Sequence, residues 1–174
     1  MQVRKVTAAS AELGEVVRLY ESAFPANERW GMNQVLRDET GISEMFSFFD
    51  GELFCGFVIL LNWKNITHII YFAVDDALRG KGYGTEALRL IREYKPDRVI
   101  LVDIEQEFPG ADNNAQRRRR KAFYERSGYT EAGVRYSWRG EKYEIMILGG
   151  EIDEKTYYAF WRAVYQNSSI FDGE

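Results

Sequence analysis

The sequence predicts a mixed α/β fold in which helices pack on the faces of one sheet. Three observations carry that expectation. Apolar runs rich in Val, Ile, Phe and Tyr alternate along the chain with segments of helical periodicity. Two tight-turn signals, Asp50-Gly51 and Arg139-Gly140, each join two such runs into a hairpin. A glycine-rich segment lies between one apolar run and the helical segment that follows it. With 174 residues, 45% of them hydrophobic and 15% aromatic, the chain fills one core and is short for two. A single domain over residues 1–174 is expected.

The elements follow in order. A short strand near Val3 to Thr7 precedes a helix, which Ser10 is placed to cap and whose Leu13, Val16, Val17, Tyr20 and Phe24 recur at helical spacing. Pro25 ends it. Ala26 to Gly41 reads as a loop with a short second helix carrying Glu28, Arg29 and Trp30, either a place for substrate contacts or an ordinary surface loop. Met45 to Phe49, the Asp50-Gly51 turn and Leu53 to Leu61 form the first hairpin, and His68 to Val74 the next strand. After the glycine-rich segment, a helix places Leu88, Ile91 and Tyr94 on one face, until Pro96 stops it. A strand Arg98 to Ile104, a polar loop and a helix from about Ala115 to Arg126 follow, with Gly128 as its stop. Gly133 to Trp138 and Lys142 to Leu148 form the last hairpin, and Asp153 caps a final aromatic helix at about residues 153–166.

Composition narrows the function. Lys and Arg total 23 against 27 Asp and Glu, a net charge of -4, which opposes general binding to nucleic acid or anionic membrane. One cysteine, Cys55, and one histidine, His68, exclude a Cys/His metal cluster, and no metal is expected. Cys55, inside an apolar run, reads as a buried small hydrophobe. No apolar stretch approaches the roughly 20 residues that span a bilayer, so a cytoplasmic protein is expected.

The segment Phe72-Ala73-Val74-Asp75-Asp76-Ala77-Leu78-Arg79-Gly80-Lys81-Gly82-Tyr83-Gly84-Thr85 suits an anion. Glycines admit close approach of backbone to ligand, the first N–H groups of a helix have no partner in the helix, and Arg79 and Lys81 add charge. It is neither a P-loop, since Gly82 rather than Ser or Thr follows Lys81, nor a Rossmann fingerprint, since Thr85 stands where its last glycine belongs. Arg79, Gly82 and Gly84 are similar in register to the coenzyme A signature of the GNAT N-acetyltransferase superfamily. Lys121 to Tyr129, with Tyr124 and Gly128, resembles that superfamily's second signature, a helix ending in Tyr-x-x-x-Gly-Phe/Tyr.

The resemblance implies a single-domain, mainly antiparallel mixed sheet with helices on both faces. It implies acetyl-CoA as co-substrate, its pyrophosphate on the backbone of Arg79, Gly80, Lys81, Gly82, Tyr83, Gly84 and Thr85, and its pantetheine arm along Phe72, Ala73 and Val74. Gly82 and Gly84 would both face ligand rather than core. Tyr124 is the implied general acid, returning a proton to the departing thiolate, since a phenol with a pKa of about 10 stays protonated at neutral pH; packing, or a hydrogen bond to the pantetheine without proton transfer, is its other reading. In the family an asparagine often stands about seven residues before that tyrosine, where this chain has Arg117.

The acceptor expected is a small-molecule or peptide amine, which must lose a proton before it attacks. Glu105, and second Asp103, are the candidate bases, two apart on one strand and so on one face; the alternative is a surface role. His68 reads as structural, at the end of its strand remote from the thiol. In the run Arg117 to Lys121, only Arg117, Arg120 and Lys121 share Tyr124's face and are placed to meet cofactor phosphates or an acidic substrate. Two other functions stay open: a non-catalytic acetyl-CoA-binding sensor or interaction module, and a surface-charge-driven RNA binder. For the aromatic stripe Tyr157, Phe160, Trp161, Val164 and Tyr165, packing within the chain competes with a homodimer contact.

Overall fold

The computed structural model describes residues 1–171. Its strands are β1 (Gln2–Lys5), β2 (Ser43–Asp50), β3 (Leu53–Trp63), β4 (Ile66–Val74), β5 (Val99–Glu105), β6 (Thr130–Trp138) and β7 (Glu141–Leu148). Its helices are α1 (Leu13–Ala23), α2 (Met32–Leu36), α3 (Tyr83–Tyr94), α4 (Asn114–Arg126) and α5 (Glu154–Asn167). The strands form one sheet in the order β1-β2-β3-β4-β5-β7-β6. Every pairing is antiparallel except β4 with β5.

That one parallel pair decides the shape of the centre. β4 and β5 are joined from Ile66↔Val99 to Ile69↔Val102. Beyond that rung β4 runs on to Val74 beside β3 alone, and β5 runs on to Glu105 beside β7 alone. The strands part at a bulge. Ile59 pairs with Tyr71 and Leu60 with Ile69, so Ile70 is an extra residue in β4. An extra residue bends its strand and increases its twist, and here it turns β4 away from β5. It also resets the alternation: Ile70 and Tyr71 pack toward one face of the sheet while Ile69 and Phe72 pack toward the other. The result is a wedge open at the middle of the sheet.

Helices cover both faces. Ala87, Leu88 and Ile91 of α3 and Tyr124 of α4 share a core with Val58, Leu60, Ile69, Ile100, Val102 and Ile104. On the opposite face α1 presses Val16, Leu19 and Tyr20 on Phe57, Ile59 and Tyr71. Beside it α5 sets Tyr157, Phe160 and Val164 against Leu101, Ile145 and Ile147. The stripe that suggested a dimer therefore faces this chain's own sheet in large part. Trp161 lies edge-on to Trp30 and His68, while Tyr158 and Tyr165 remain exposed.

Local signals were followed in most places. The Asp153 carboxylate accepts from the Thr156 N–H at 2.7 Å, a cap worth about 1 kcal/mol. Cys55 is buried, and its thiol meets the Leu53 carbonyl. Two expectations need correction. Ser10 does not cap α1: its hydroxyl takes the Thr7 N–H at 2.9 Å, and the helix begins after Glu12 without a side-chain cap. Tyr94 leaves the buried face of α3, lying 51% exposed with only one edge of its ring on Phe46 of β2.

Candidate active site

One wall of the wedge begins at the glycine-rich segment. Asp75 caps the short turn Asp76–Leu78 by accepting from the Ala77 N–H, and Leu78 is buried beneath it. Gly80 and Gly82 then adopt φ of +74° and +89°, a left-handed conformation costly for other residues. A Cβ on either would meet nothing within 4 Å. Gly82 caps α3, and the first bond of that helix runs from the Glu86 N–H to the Gly82 carbonyl. The N–H groups of Tyr83, Gly84 and Thr85 therefore have no acceptor within the helix. Arg79 and Lys81 stand exposed around this open, amide-lined turn, with Arg79 paired to Asp76. Tyr83 ties the turn to the first hairpin through Asp50, 2.9 Å away.

Gly84 behaves differently from Gly82. A Cβ there would stand 3.3 Å from the Phe123 ring and 3.7 Å from Val74. Its missing side chain makes room for α4 rather than for ligand, which corrects the expectation that both glycines face ligand.

Along the wedge, Phe72, Ala73 and Val74 keep one backbone edge on β3 and have no strand on the other. Phe72 stacks on Phe123, their centroids 6.4 Å apart. Tyr124, the next residue on α4, is buried, and its hydroxyl has no hydrogen-bond partner among the described residues. Burial pushes this phenol well above its ordinary value; Arg120 opposes the shift and the charge of Asp103 adds to it. The proton stays on Tyr124 throughout the neutral range.

Asp103 and Glu105 project from β5 beyond the last β4 rung, but they enter different networks. Asp103 accepts from His68 Nε2 at 2.9 Å, from Tyr136 at 2.8 Å and from Tyr157 at 3.2 Å. Burial, followed by the charge of Asp103, raises both phenols. Glu105 is held by Arg120 and, at 3.5 Å, by Arg117 of α4. Nearby Tyr143 is pushed up to about 12 by burial and by Glu28, Glu105 and Glu141. His68 was expected to stand apart from the chemistry; it is instead buried directly behind Asp103, because the parallel rungs end one residue after it.

The arginine-rich helix also departs from expectation. Arg117, 7% exposed, spends its guanidinium on Asn113, the Gln106 carbonyl and Glu141, pinning the loop before α4. Lys121 lies between Glu131 and Glu144 of the last hairpin, which together hold its pKa above the ordinary value against the opposing effect of burial. Their charges are taken up by these partners rather than by the turn at Gly80 and Gly82. Sequence reasoning missed Tyr136, Tyr157 and His68 as partners of Asp103. It also missed Tyr20 and Tyr71, which fix the Glu28–Trp30 loop through Trp30 N–H and the carbonyls of Glu28 and Trp30.

The family model described as "Acetyltransferase (GNAT) domain" matches residues 42–131, more than half of the chain and the whole span from β2 through α4. The chain belongs to the GNAT acetyltransferases. A GNAT-family acetyltransferase from Bacteroides thetaiotaomicron superposes with a TM-score of 0.78 at 22% identity, over 95% of this chain and 97% of that one. The ribosomal-protein-S18-alanine N-acetyltransferase of Escherichia coli gives 0.62 at 18% identity, over 88% and 97%. A Bacillus subtilis acetyltransferase solved in complex with CoA gives 0.58 at 13%, over 84% and 97%. No curated protein sequence matches. At these identities the structures establish a shared fold, and the parted β4 and β5 belong to a GNAT domain.

Proposed function

We propose that residues 1–174 act as one domain that transfers the acetyl group of acetyl-CoA to a primary amine of a small molecule or peptide. The observation that carries the reading is the wedge, with an amide-lined turn at one end and Tyr124 and Asp103 at its closed end. The pieces fit the co-substrate. Gly80 and Gly82 hold a left-handed turn with open space before it, and the free N–H groups of Tyr83, Gly84 and Thr85 with Arg79 and Lys81 match a pyrophosphate. The unpaired edge of Phe72 to Val74 would receive the pantetheine amides as an added strand. The B. subtilis acetyltransferase, solved with CoA on the same fold, supports CoA as the kind of ligand this fold holds. Bound there, acetyl-CoA supplies an activated acyl group and a thiolate leaving group.

The chain's own residues handle the protons and the orientation. Tyr124, protonated and without a protein partner among the described residues, donates its proton to the departing sulfur. Glu105 accepts the proton of the amine, through water because its oxygens already receive Arg120, Arg117 and Asn113. Asp103 faces the acceptor from the side of α5, opposite Tyr124. Direct attack needs no acyl-enzyme: Cys55, the thiol that could form one, is buried, with its pKa raised chiefly by desolvation.

Release of free thiol from acetyl-CoA with a panel of polyamines, aminoglycosides, amino acids and peptides tests this reading. Amine-dependent release is expected. Tight acetyl-CoA binding with no release for any amine would favour the sensor reading instead.

A further inference from the structure

We infer that His68, Tyr136 and Tyr157 are positioning residues that mount Asp103 as the anchor for the protonated amine of the acceptor. The inference rests on the acetyltransferase reading above and deepens it. Asp103 is the first residue of β5 past the last rung shared with β4, so it stands at the closed end of the wedge. Its three donors come from β4, β6 and α5 and surround it from three sides. A carboxylate offers about four lone-pair directions, and the protein fills all but one. With its side chain 18% exposed, Asp103 keeps the remaining direction for a donor from outside. An ammonium group, cationic and rich in N–H, is the acceptor chemistry that completes this set.

His68 shows that the mount is built for this contact rather than for packing. Its side chain is 0% exposed, and its ring sits among those of Tyr157, Phe160 and Trp161 at 5.4–6.0 Å. Its Nδ1 has no hydrogen-bond partner among the described residues. A buried N–H without an acceptor is expensive, so the proton belongs on Nε2, where Asp103 receives it. A leucine would fill the same aromatic box and orphan nothing. Among the described residues, the one polar contact that the imidazole gains is Asp103.

Tyr157 repeats the pattern. Phenylalanine would pack equally well on Leu101 and Ile145, and the hydroxyl adds the bond to Asp103 together with contacts to Tyr136 and Trp161, which hold it in place. The C-terminal helix is thereby part of the acceptor site: without α5, Asp103 loses one donor and His68 loses its box.

The test is steady-state thiol release with the best amine of the panel, using the full chain and His68→Leu, His68→Gln and Tyr157→Phe variants, with calorimetry for acetyl-CoA. Loss of one hydrogen bond to a charged group should raise the amine KM about tenfold in His68→Leu and in Tyr157→Phe. Acetyl-CoA affinity and kcat at saturating amine should stay within about twofold of the parent. The amide nitrogen of His68→Gln reaches the place of Nε2, so its amine KM should return to within about threefold of the parent value. An unchanged amine KM in folded His68→Leu, or failure of glutamine to restore it, overturns the positioning role. If His68→Leu does not fold, Tyr157→Phe, which removes one hydroxyl, decides by the same criterion. A parent enzyme that releases no thiol with any amine overturns the acetyltransferase reading and this inference with it; turnover with unaltered KM in the variants overturns the positioning role alone.

Discussion

Gly84 of α3 and Phe123 of α4 touch where the two helices flank the wedge: a Cβ on the glycine would stand 3.3 Å from the aromatic ring. Gly82, two residues earlier, has open space around it. The two glycines should therefore fail differently. Gly84→Asp should cost about 1–3 kcal/mol by overpacking, visible as a lower melting temperature in the absence of ligand. A melting curve that overlays the parent would show that α3 and α4 do not meet at this point.

Gly82→Asp and Gly82→Asn share size and tolerance of a left-handed backbone, so their difference isolates charge at the proposed pyrophosphate turn. The aspartate variant should bind acetyl-CoA at least about tenfold more weakly than the asparagine variant, a difference of about 1.4 kcal/mol. Both should fold. Equal affinities in calorimetry would remove the pyrophosphate from this turn.

Tyr124→Phe should lower kcat roughly 10²-fold while acetyl-CoA affinity stays nearly unchanged. The lost hydroxyl has no partner among the described residues, so stability should not fall. Unchanged turnover would remove Tyr124 as the acid. A large loss of cofactor affinity would make it a packing residue.

Glu105→Gln should move the pH dependence of turnover to higher pH and leave acetyl-CoA binding alone, because a neutral amide cannot take the amine's proton but a free amine still forms in stronger base. Arg117 keeps Asn113, the Gln106 carbonyl and Glu141, so the fold should survive. Superimposable profiles for mutant and parent would pass the role to water or to Asp103.

The buried phenols also set an alkaline limit. Burial raises Tyr71, Tyr124, Tyr129, Tyr136 and Tyr157 above the unfolded value near 10. The folded state holds these protons more tightly than the unfolded chain does, so their contribution is complete below about pH 10 and is lost as pH rises above it. Phenolate absorbance at these sites should appear together with loss of near-ultraviolet circular dichroism, in one cooperative step. Gradual ionisation of all eleven tyrosines with the fold intact would contradict the buried placement.

What the sequence revealed is what local chemistry determines. Asp50-Gly51 makes a hairpin and Asp153 a cap because each acts on its immediate neighbours, and the glycine-rich turn lies within a few residues of its strand and helix. Asp103 was visible as a carboxylate beside the wedge, but its mount was not. His68, Tyr136 and Tyr157 lie 35, 33 and 54 positions away in the chain, and no spacing rule connects them. The helical wheel of α4 selected Arg117 and Lys121 correctly as one face. It could not show that Glu131 on β6 and Glu141 and Glu144 on β7 would take their charge.

The aromatic stripe of α5 gives the last prediction. Trp161 packs within the chain, its ring 5.4 Å from His68 and 6.3 Å from Trp30, whereas Tyr158 one turn earlier is 47% exposed. Trp161→Glu places a charge beside the aromatic box of His68, so it should destabilise the fold by about 3 kcal/mol and weaken amine binding through the mount of Asp103. Tyr158→Glu changes a surface residue and should leave the melting temperature nearly unchanged. Light scattering on both variants and the parent separates the two roles of this helix. A parent that is monomeric at micromolar concentration, together with an unstable Trp161→Glu chain, assigns the stripe to the chain's own core. A dimeric parent that Tyr158→Glu converts to a stable, folded monomer would instead place a subunit contact on the exposed side of α5, with Trp161 still serving the core beneath it.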